Sequence, residues 1–199
     1  MEISAALVKT LREKTGCGMM DCKKALAENE GDIEKAIDYL RKKGLSQADK
    51  RAGRTTSQGL IESYIHLNGS IGVMVELNCE TDFVARNEKF KQLAHDLAMH
   101  AAAFSPLYLD EQSIPAEFLA KEREIYLEQA RQTGKPEAVL EKIVEGKVEK
   151  RKKEICFLYQ PFLKDTEITV EEHLKNHIVT IGENIVLRRF IRFQLGEEC

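Results

Sequence analysis

The chain has 199 residues, of which 43% are apolar and 32% charged, and its formal net charge is −3 at pH 7. This length allows one domain, or a small domain followed by a medium one, with enough apolar residues to bury a core. A dedicated nucleic-acid binder is usually strongly basic, so we expect no direct contact with nucleic acid. No apolar run approaches the roughly 18 residues of a membrane-spanning helix. The first helix is amphipathic and unlike a signal peptide, which favours a cytoplasmic protein without membrane contact.

Five cysteines lie at positions 17, 22, 79, 156 and 199. Their number is odd and no CxxC pair occurs, so buried or unreactive thiols are the leading interpretation. Cys199 is the last residue, where a thiol is usually exposed. It could form a disulfide bond with a second chain, or it could be inert.

Residues 1–45 carry the pattern of three short helices, which we interpret as a small N-terminal module. Ser4 is a candidate N-cap, and Asp32 is expected to cap the third helix. Gly44 is expected to end that helix as a C′ glycine. The layout is similar to that of ubiquitin-associated domains. Residues 46–59 are polar without periodicity and predict a linker.

Residues 60–199 predict an α+β core domain, in which a three-stranded antiparallel sheet is packed with helices. Asn68-Gly69 lies between two alternating apolar runs and is a strong hairpin signal. The TVEE capping box at 169–172 opens a helix. The third strand is expected near the end of the chain, with five apolar residues on one side: Ile185, Leu187, Ile191, Phe193 and Leu195.

The sequence contains none of the common catalytic motifs, and we expect neither an enzyme active site nor a cofactor. A GxxxxGK phosphate loop, a GxSxG elbow and an HExxH zinc motif are all absent from it. His173 and His177 are four residues apart on a predicted helix and could share a metal ion. Two polar-face histidines are the simpler interpretation, because no third ligand is evident. The basic run Lys147–Lys153 is interpreted as a solvated helix end, with phosphate contact as the alternative.

Phe83 occupies a charged segment between a predicted strand and a predicted helix. It precedes Phe90 by seven residues, so one continuous helix would place both rings on the same buried stripe. However, Asn87 is a candidate helix start, which would leave Phe83 on a separate turn. A rigid aromatic side chain held outward is a good anchor for a partner.

Four stretches of the sequence carry a resemblance to a known family. They are LREKTGCGMMDCKKAL (11–26), TDFVARN (81–87), YQPFLKD (159–165) and GENIVLRRFIRFQLGE (182–197). In this order they resemble the signature stretches of the elongation factor Ts family, over nearly the whole chain. The resemblance implies a guanine nucleotide exchange factor for elongation factor Tu in translation elongation, acting on the GDP-bound and nucleotide-free partner.

The resemblance also implies which residues contact the partner. The TDFV segment, Thr81, Asp82, Phe83 and Val84, would disturb the magnesium and phosphate site so that GDP leaves. The N-terminal module would dock on the nucleotide domain through residues that include Arg12, Met19, Met20, Cys22 and Lys23. One of the two methionines is expected to face the module's core and the other to be exposed.

Longer members of the family carry a second copy of the core half and a coiled-coil insertion, for which we expect no room in this chain. It resembles the short members, for which a homodimer is expected. Two other functions compete with this interpretation. A generic binding adaptor would use the module and make the TDFV segment irrelevant, and an RNA-binding translation protein would bind through the basic run with a steep salt dependence.

Overall fold

The computed structural model describes residues 3–132 and 136–197. Within them the chain divides into two compact units. Unit 1 comprises the chain up to Glu62 together with Glu76–Ala94 and Glu172–Arg188, and unit 2 comprises Ser63–Val75, His95–Glu171 and the chain from Arg189 onward.

Three helices form the N-terminal module: α1 (Ala5–Thr15), α2 (Met19–Glu28) and α3 (Ile33–Arg51). The predicted caps are confirmed, because the Ser4 hydroxyl accepts a hydrogen bond from Leu7 N–H and the Asp32 carboxylate accepts one from Lys35 N–H. The module has its own apolar core, formed by Val8, Leu11, Cys22, Ala25, Leu26, Ala36 and Leu40. The likeness to ubiquitin-associated domains stays a prediction.

The expected end of α3 at Gly44 is wrong, since the helix continues to Arg51. A Cβ atom on Gly44 would lie 3.0 Å from Cγ2 of Val179, so this glycine serves a close helix contact and not a C-cap. The first six residues of the predicted linker, 46–51, are therefore helical. The first strand begins at Gln58, which leaves only a short connection.

The strands are β1 (Gln58–His66), β2 (Ile71–Cys79), β3 (Pro161–Phe162), β4 (Asp165–Thr169) and β5 (Ile185–Gln194). The expected antiparallel sheet is present with strand order β1-β2-β5, and β3 and β4 pair in a small second sheet that the sequence did not predict. The hairpin signal is confirmed: Leu67–Gly69 forms a 3₁₀ turn in which Asn68 has φ 54° and Gly69 has φ 90°.

The predicted single apolar side of β5 is wrong. Ile185 and Leu187 are buried, but Ile191 and Phe193 are exposed by 47% and 62%. Arg188 and Arg189 are both exposed, so the in-out alternation slips by one residue between the two halves of the strand. Three of the five apolar residues expected on one side, Ile191, Phe193 and Leu195, therefore lie on the surface.

The remaining helices are α4 (Asp82–Ala85), α5 (Glu88–Phe104), α6 (Ala116–Arg131), α7 (Glu137–Ile155) and α8 (Val170–Ile181). The apolar stripe predicted for α5 is confirmed, because Phe90, Leu93 and Leu97 are at most 1% exposed. α8 begins where the capping box predicts.

Helices α6 and α7 form an antiparallel pair. Glu122, early in α6, lies 3.7 Å from Arg151, late in α7, whereas Gln129, late in α6, accepts a hydrogen bond from Lys147. Their apolar contact is centred on Ala130, Leu140, Val144 and Val148. The expectation that the chain lacks the coiled-coil insertion of the longer family members stays a prediction.

Candidate partner-binding surface

The segment Thr81–Val84, named the TDFV turn here, forms a single capped helical turn. Thr81 has an extended backbone, and its hydroxyl oxygen accepts a hydrogen bond from Val84 N–H at 3.4 Å. Asn87 caps the separate helix α5, where its side-chain oxygen accepts a hydrogen bond from Lys89 N–H at 2.9 Å. The TDFV turn is therefore outside α5 and does not continue its buried stripe.

Phe83 faces solvent, with 83% of its surface exposed. The prediction that this side chain points outward is confirmed, and the alternative of core packing is wrong. Its neighbour Asp82 is about half exposed and forms an ion pair with Arg86 at 3.1 Å, and Val84 is half-buried. The TDFV turn thus presents an aromatic ring on a short, capped backbone, as an anchor for a partner requires.

The carboxylate of Glu183 receives three hydrogen bonds from the residues at the start of the TDFV turn. Its Oε1 accepts from the Thr81 hydroxyl at 2.6 Å. Its Oε2 accepts from the backbone N–H groups of Thr81 at 3.0 Å and Glu80 at 3.1 Å. Hydrogen bonds to a charged acceptor are stronger than neutral ones, so this side chain is the main polar support of the turn.

Asn184 extends the same network to the segment that follows α3. Its backbone N–H donates to a Glu80 side-chain oxygen at 2.6 Å. Its side-chain amide donates to the carbonyl oxygens of Ala52 at 3.3 Å and Arg54 at 3.0 Å. Arg54 in turn lies 3.4 Å from the Glu80 carboxylate. The network links residues that are more than 100 positions apart in the sequence.

Cys79 lies buried beneath this network and donates a hydrogen bond from its thiol to the Thr81 carbonyl oxygen at 3.2 Å. Burial, and after it the negative charge of Glu183, raise the pKa of the Cys79 thiol to about 11. The thiol therefore stays protonated near neutral pH. The four described cysteines are all free, and three of them are buried: Cys22, Cys79 and Cys156.

The N-terminal module exposes four of the five residues predicted to contact a partner. Met19 and Met20 are exposed by 56% and 77%, so the expectation that one of them faces the core is wrong. Arg12 and Lys23 are exposed as well. Cys22 has no exposed surface and belongs to the module's core, so it supports the surface from beneath and its side chain does not reach a partner.

The module is fixed against α8 within unit 1. The Arg51 guanidinium donates to the Ile178 carbonyl oxygen at 3.3 Å. Lys175 lies 3.2 Å from Asp49, and Gly44 lies against Val179. Because α8 is followed directly by Glu183 and Asn184, the same helix end supports the module and the TDFV turn.

The basic run Lys147–Lys153 is largely engaged within the protein. Lys147 donates to Gln129 and lies 5.4 Å from the centre of the Tyr126 ring. Lys152 is 12% exposed, pairs with Glu111 and Glu149, and has its pKa raised by those two hydrogen-bonded carboxylates. These contacts disfavour the phosphate-binding alternative, since a phosphate would have to displace them.

His173 and His177 adjoin each other on α8, with ring centroids 4.5 Å apart. His177 Nδ1 lies 3.0 Å from the carbonyl oxygen of His173. Over residues 3–132 and 136–197, no three His, Cys, Asp or Glu side chains are grouped closely enough to hold a metal ion. The same residues include no helix with the length and apolar character to cross a membrane. Cys199 lies outside the described residues, so its disulfide bond stays a prediction.

Sequence reasoning missed Glu80, Glu183 and Asn184 as members of this surface. Glu183 and Asn184 fall within the family-like stretch 182–197, whose pattern does not show which residues they contact. The available signal was local: Glu183 and Asn184 follow Gly182, which ends α8 with φ 91° and donates its N–H to the Ile178 carbonyl. Polar residues directly after a helix-ending glycine are placed in a fixed direction, but the residues that they contact are distant in sequence.

Comparison with known proteins finds similar sequences over nearly the whole chain. Residues 45–197 match the family model described as Elongation factor TS. The chain is 58% identical over 197 residues to the elongation factor Ts of Solidesulfovibrio magneticus, covering 99% of this chain and 98% of that protein. It is 56% identical over 197 residues to that of Fervidobacterium nodosum, covering 99% and 100%. The protein of Thermosynechococcus vestitus is 60% identical over 197 residues, which are 98% of this chain but 66% of that longer protein.

Proposed function

Because the chain belongs to the elongation factor Ts family, whose members are nucleotide exchange factors for elongation factor Tu, we propose that it releases GDP from elongation factor Tu by inserting the TDFV turn beside the bound magnesium ion. Members of this family act by exchange and catalyse no bond-making chemistry. They are in general cytoplasmic, and we place this chain there as well. The observation that carries the proposal is the outward position of Phe83 on a turn fixed by its own polar network.

The physical basis is a difference in binding between two states of the partner. GDP is held by a phosphate loop and Mg²⁺ through many charge-assisted hydrogen bonds, so it leaves slowly. A protein that binds the nucleotide-free state more tightly weakens GDP binding, and GDP weakens the protein's binding by the same factor. Phe83 and Asp82 are the side chains that would make contacts in only one of the two states. GTP then rebinds and displaces the exchange factor.

The N-terminal module supplies the second contact, on the nucleotide domain of the partner. Met19 and Met20 offer flexible apolar surface that adapts to a partner, and Arg12 and Lys23 add positive charge beside it. The module and the TDFV turn belong to the same compact unit. This supports a two-point contact whose spacing is set before the partner binds, which lowers the entropic cost of association.

The exposed side of the sheet supports a homodimer. Apolar side chains on β1, β2 and β5, on the turn between β1 and β2, and directly after β5 are between 47% and 84% exposed within unit 2: Ile65, Leu67, Met74, Ile191, Phe193 and Leu195. The N–H of Leu195 donates to the Ser70 carbonyl oxygen at 2.8 Å, which brings the end of β5 to the hairpin. Contiguous apolar surface of this kind marks an interface in soluble proteins, and we assign it to a second copy of the chain.

The proposal is tested by the rate at which fluorescent GDP leaves elongation factor Tu, measured with the unmodified protein, Phe83→Ala and Met20→Ala. Phe83→Ala should slow release at saturating exchange factor at least tenfold, as truncation of an anchoring aromatic costs about 2 kcal/mol or more. Met20→Ala should weaken binding with less effect on the maximal rate. Leu107→Ala is the matched control, since Leu107 is 55% exposed and belongs to unit 2, whereas both contacts belong to unit 1.

Each alternative gives a different pattern in this experiment. An adaptor that uses only the module would respond to Met20→Ala and not to Phe83→Ala. A thermal melt of every variant shows whether Phe83→Ala acts through stability instead. If the unmodified protein leaves GDP release unchanged, the exchange function itself is wrong.

A further inference from the structure

The orientation of Phe83 cannot come from core packing, because the side chain is 83% exposed. Helix α4 is only four residues long, and a single turn has almost no stability of its own, since helix nucleation is unfavourable. The ion pair between Asp82 and Arg86 is exposed on both sides and contributes little. Something outside the turn must therefore hold the aromatic ring in place.

Glu183 is the group that meets this requirement. Its carboxylate binds the Thr81 hydroxyl at 2.6 Å, and the oxygen of the same hydroxyl accepts the N–H of Val84. The Thr81 hydroxyl therefore connects the Glu183 carboxylate to the helical turn that carries Phe83. Two further hydrogen bonds, from the N–H groups of Glu80 and Thr81, fix the carboxylate itself.

We propose that Glu183 is a positioning residue for nucleotide exchange. Through Thr81 it fixes the direction in which the Phe83 side chain points away from the protein. Through its neighbour Asn184 it fixes the TDFV turn relative to the end of α3. The inference rests on the proposed role of Phe83 in exchange. Glu183 itself contacts neither nucleotide nor metal. It acts by reducing the number of orientations that Phe83 samples before the partner arrives.

The position of Glu183 is itself determined by α8. Gly182 ends the helix with φ 91°, a conformation that L side chains rarely adopt. α8 is fixed to the module through Gly44 and Arg51. A displacement of α8 would therefore move Glu183, and Glu183 would shift the TDFV turn with it. The N-terminal module, which contacts α8, and the TDFV turn would thus move together.

The test uses a tryptophan at position 83, because the chain contains no natural tryptophan. Time-resolved fluorescence anisotropy of the Phe83→Trp protein reports the local motion of this single side chain. Adding Glu183→Gln, which keeps the shape and removes the charge, should increase the amplitude of that motion. The matched control is Glu172→Gln, since Glu172 forms an ion pair with Arg41 on α3 within the same unit.

Exchange is then measured with the native Phe83. Glu183→Gln should lower the maximal rate of GDP release at least about fivefold, in line with the loss of charge-assisted hydrogen bonds, while the concentration that gives half the maximal rate changes less than twofold. Thr81→Val, which removes the hydroxyl, should lower the maximal rate to the same extent as Glu183→Gln, whereas Thr81→Ser, which keeps the hydroxyl, should lower it clearly less. Combining Thr81→Val with Glu183→Gln should cause little additional loss, because both act through one contact.

Three outcomes separate the possible failures. If Glu183→Gln lowers the melting temperature but leaves both the motion at position 83 and the maximal rate unchanged, Glu183 is merely structural and the inference is overturned. If the motion increases while Phe83→Ala exchanges normally, Phe83 does not act in exchange, and the proposed function fails together with this role. If Glu183→Gln does not fold, the comparison of Thr81→Ser with Thr81→Val decides, and equal rates for those two variants overturn the inference.

Discussion

Gly44 lets α3 approach Val179 on α8 more closely than a residue with a Cβ atom could without a shift of the Val179 side chain. A Cβ atom at position 44 would lie 3.0 Å from Cγ2 of Val179. Overpacking usually costs about 1–3 kcal/mol, and the helix propensity of alanine offsets up to about 1 kcal/mol of it. Gly44→Ala should therefore lower the free energy of unfolding by about 1–2 kcal/mol. Urea unfolding of the two proteins measures the difference.

Gly146 provides the matched control for this prediction. It also lies inside a helix, but a Cβ atom there meets nothing within 4 Å. Gly146→Ala should stabilise the protein by about 0.5–1 kcal/mol through helix propensity. If both alanine variants are stabilised equally, the close contact at Gly44 is wrong.

Gly59 is a position where only glycine fits. It has φ 151°, and a Cβ atom would lie 2.2 Å from the Leu77 carbonyl oxygen of the neighbouring strand. Gly59→Ala should strongly destabilise the protein, because backbone cannot move aside as a side chain can. Gly69→Ala has a positive φ but open space around it, so it should lose clearly less stability in the same urea experiment.

His100 makes stability depend on pH. The imidazole is fully buried, its Nε2 lies 3.0 Å from Gln160 Oε1, and its Nδ1 accepts the N–H of Leu163. Burial lowers the pKa of His100 from 6.5 to about 4. Between these two values the unfolded chain binds a proton that the folded chain does not, so stability should rise with pH and be lost as pH falls from 6.5 towards 4.

The size of this effect is on the order of a few kcal/mol, since one pKa unit corresponds to about 1.4 kcal/mol. NMR titration of the His100 ring provides the direct measurement, and its midpoint should lie far below that of an ordinary histidine. A midpoint near 6.5 would contradict the buried, hydrogen-bonded position. When His100 is replaced by Gln, the free energy of unfolding measured with urea should depend less on pH between 6.5 and about 4.

The proposed homodimer is tested at Phe193, which is 62% exposed on the apolar side of β5. Phe193→Asp should dissociate the dimer, because an unpaired carboxylate is costly to bury in an apolar interface. The association of two chains is measured by sedimentation velocity in a protein that also carries Cys199→Ser, so that no disulfide bond can form at that position. Leu107→Asp should leave the dimer intact, and a monomeric parent protein would refute the assignment of this surface.

The sequence was sufficient for elements whose signals are local. Ser4, Asp32 and Asn87 are recognisable as caps because a cap depends on residues only a few positions away. The separation of the TDFV turn from α5 follows from the same reasoning. The outward position of Phe83 is therefore predictable from the residues around it.

Features that depend on distant residues were not predictable in this way. Gly44 resembles a helix stop, and only the contact with Val179 shows that it is a packing position. At Arg188 the alternation of buried and exposed side chains along β5 shifts by one residue, and the composition of the strand hardly indicates this shift. Glu183 lies 102 residues from Thr81, so no local pattern connects the side chain that supports the turn with the turn itself.

The distance in sequence between Thr81 and Glu183 matters while the protein is being synthesised. The ribosome produces the TDFV turn about a hundred residues before the carboxylate that holds it, and contacts so distant in sequence form late in folding. A nascent chain that stops before residue 183 should carry a module and a TDFV turn that are not yet fixed to each other. We expect chains that end before residue 183 to accelerate GDP release far less than the 199-residue chain, because the carboxylate that fixes the TDFV turn is missing.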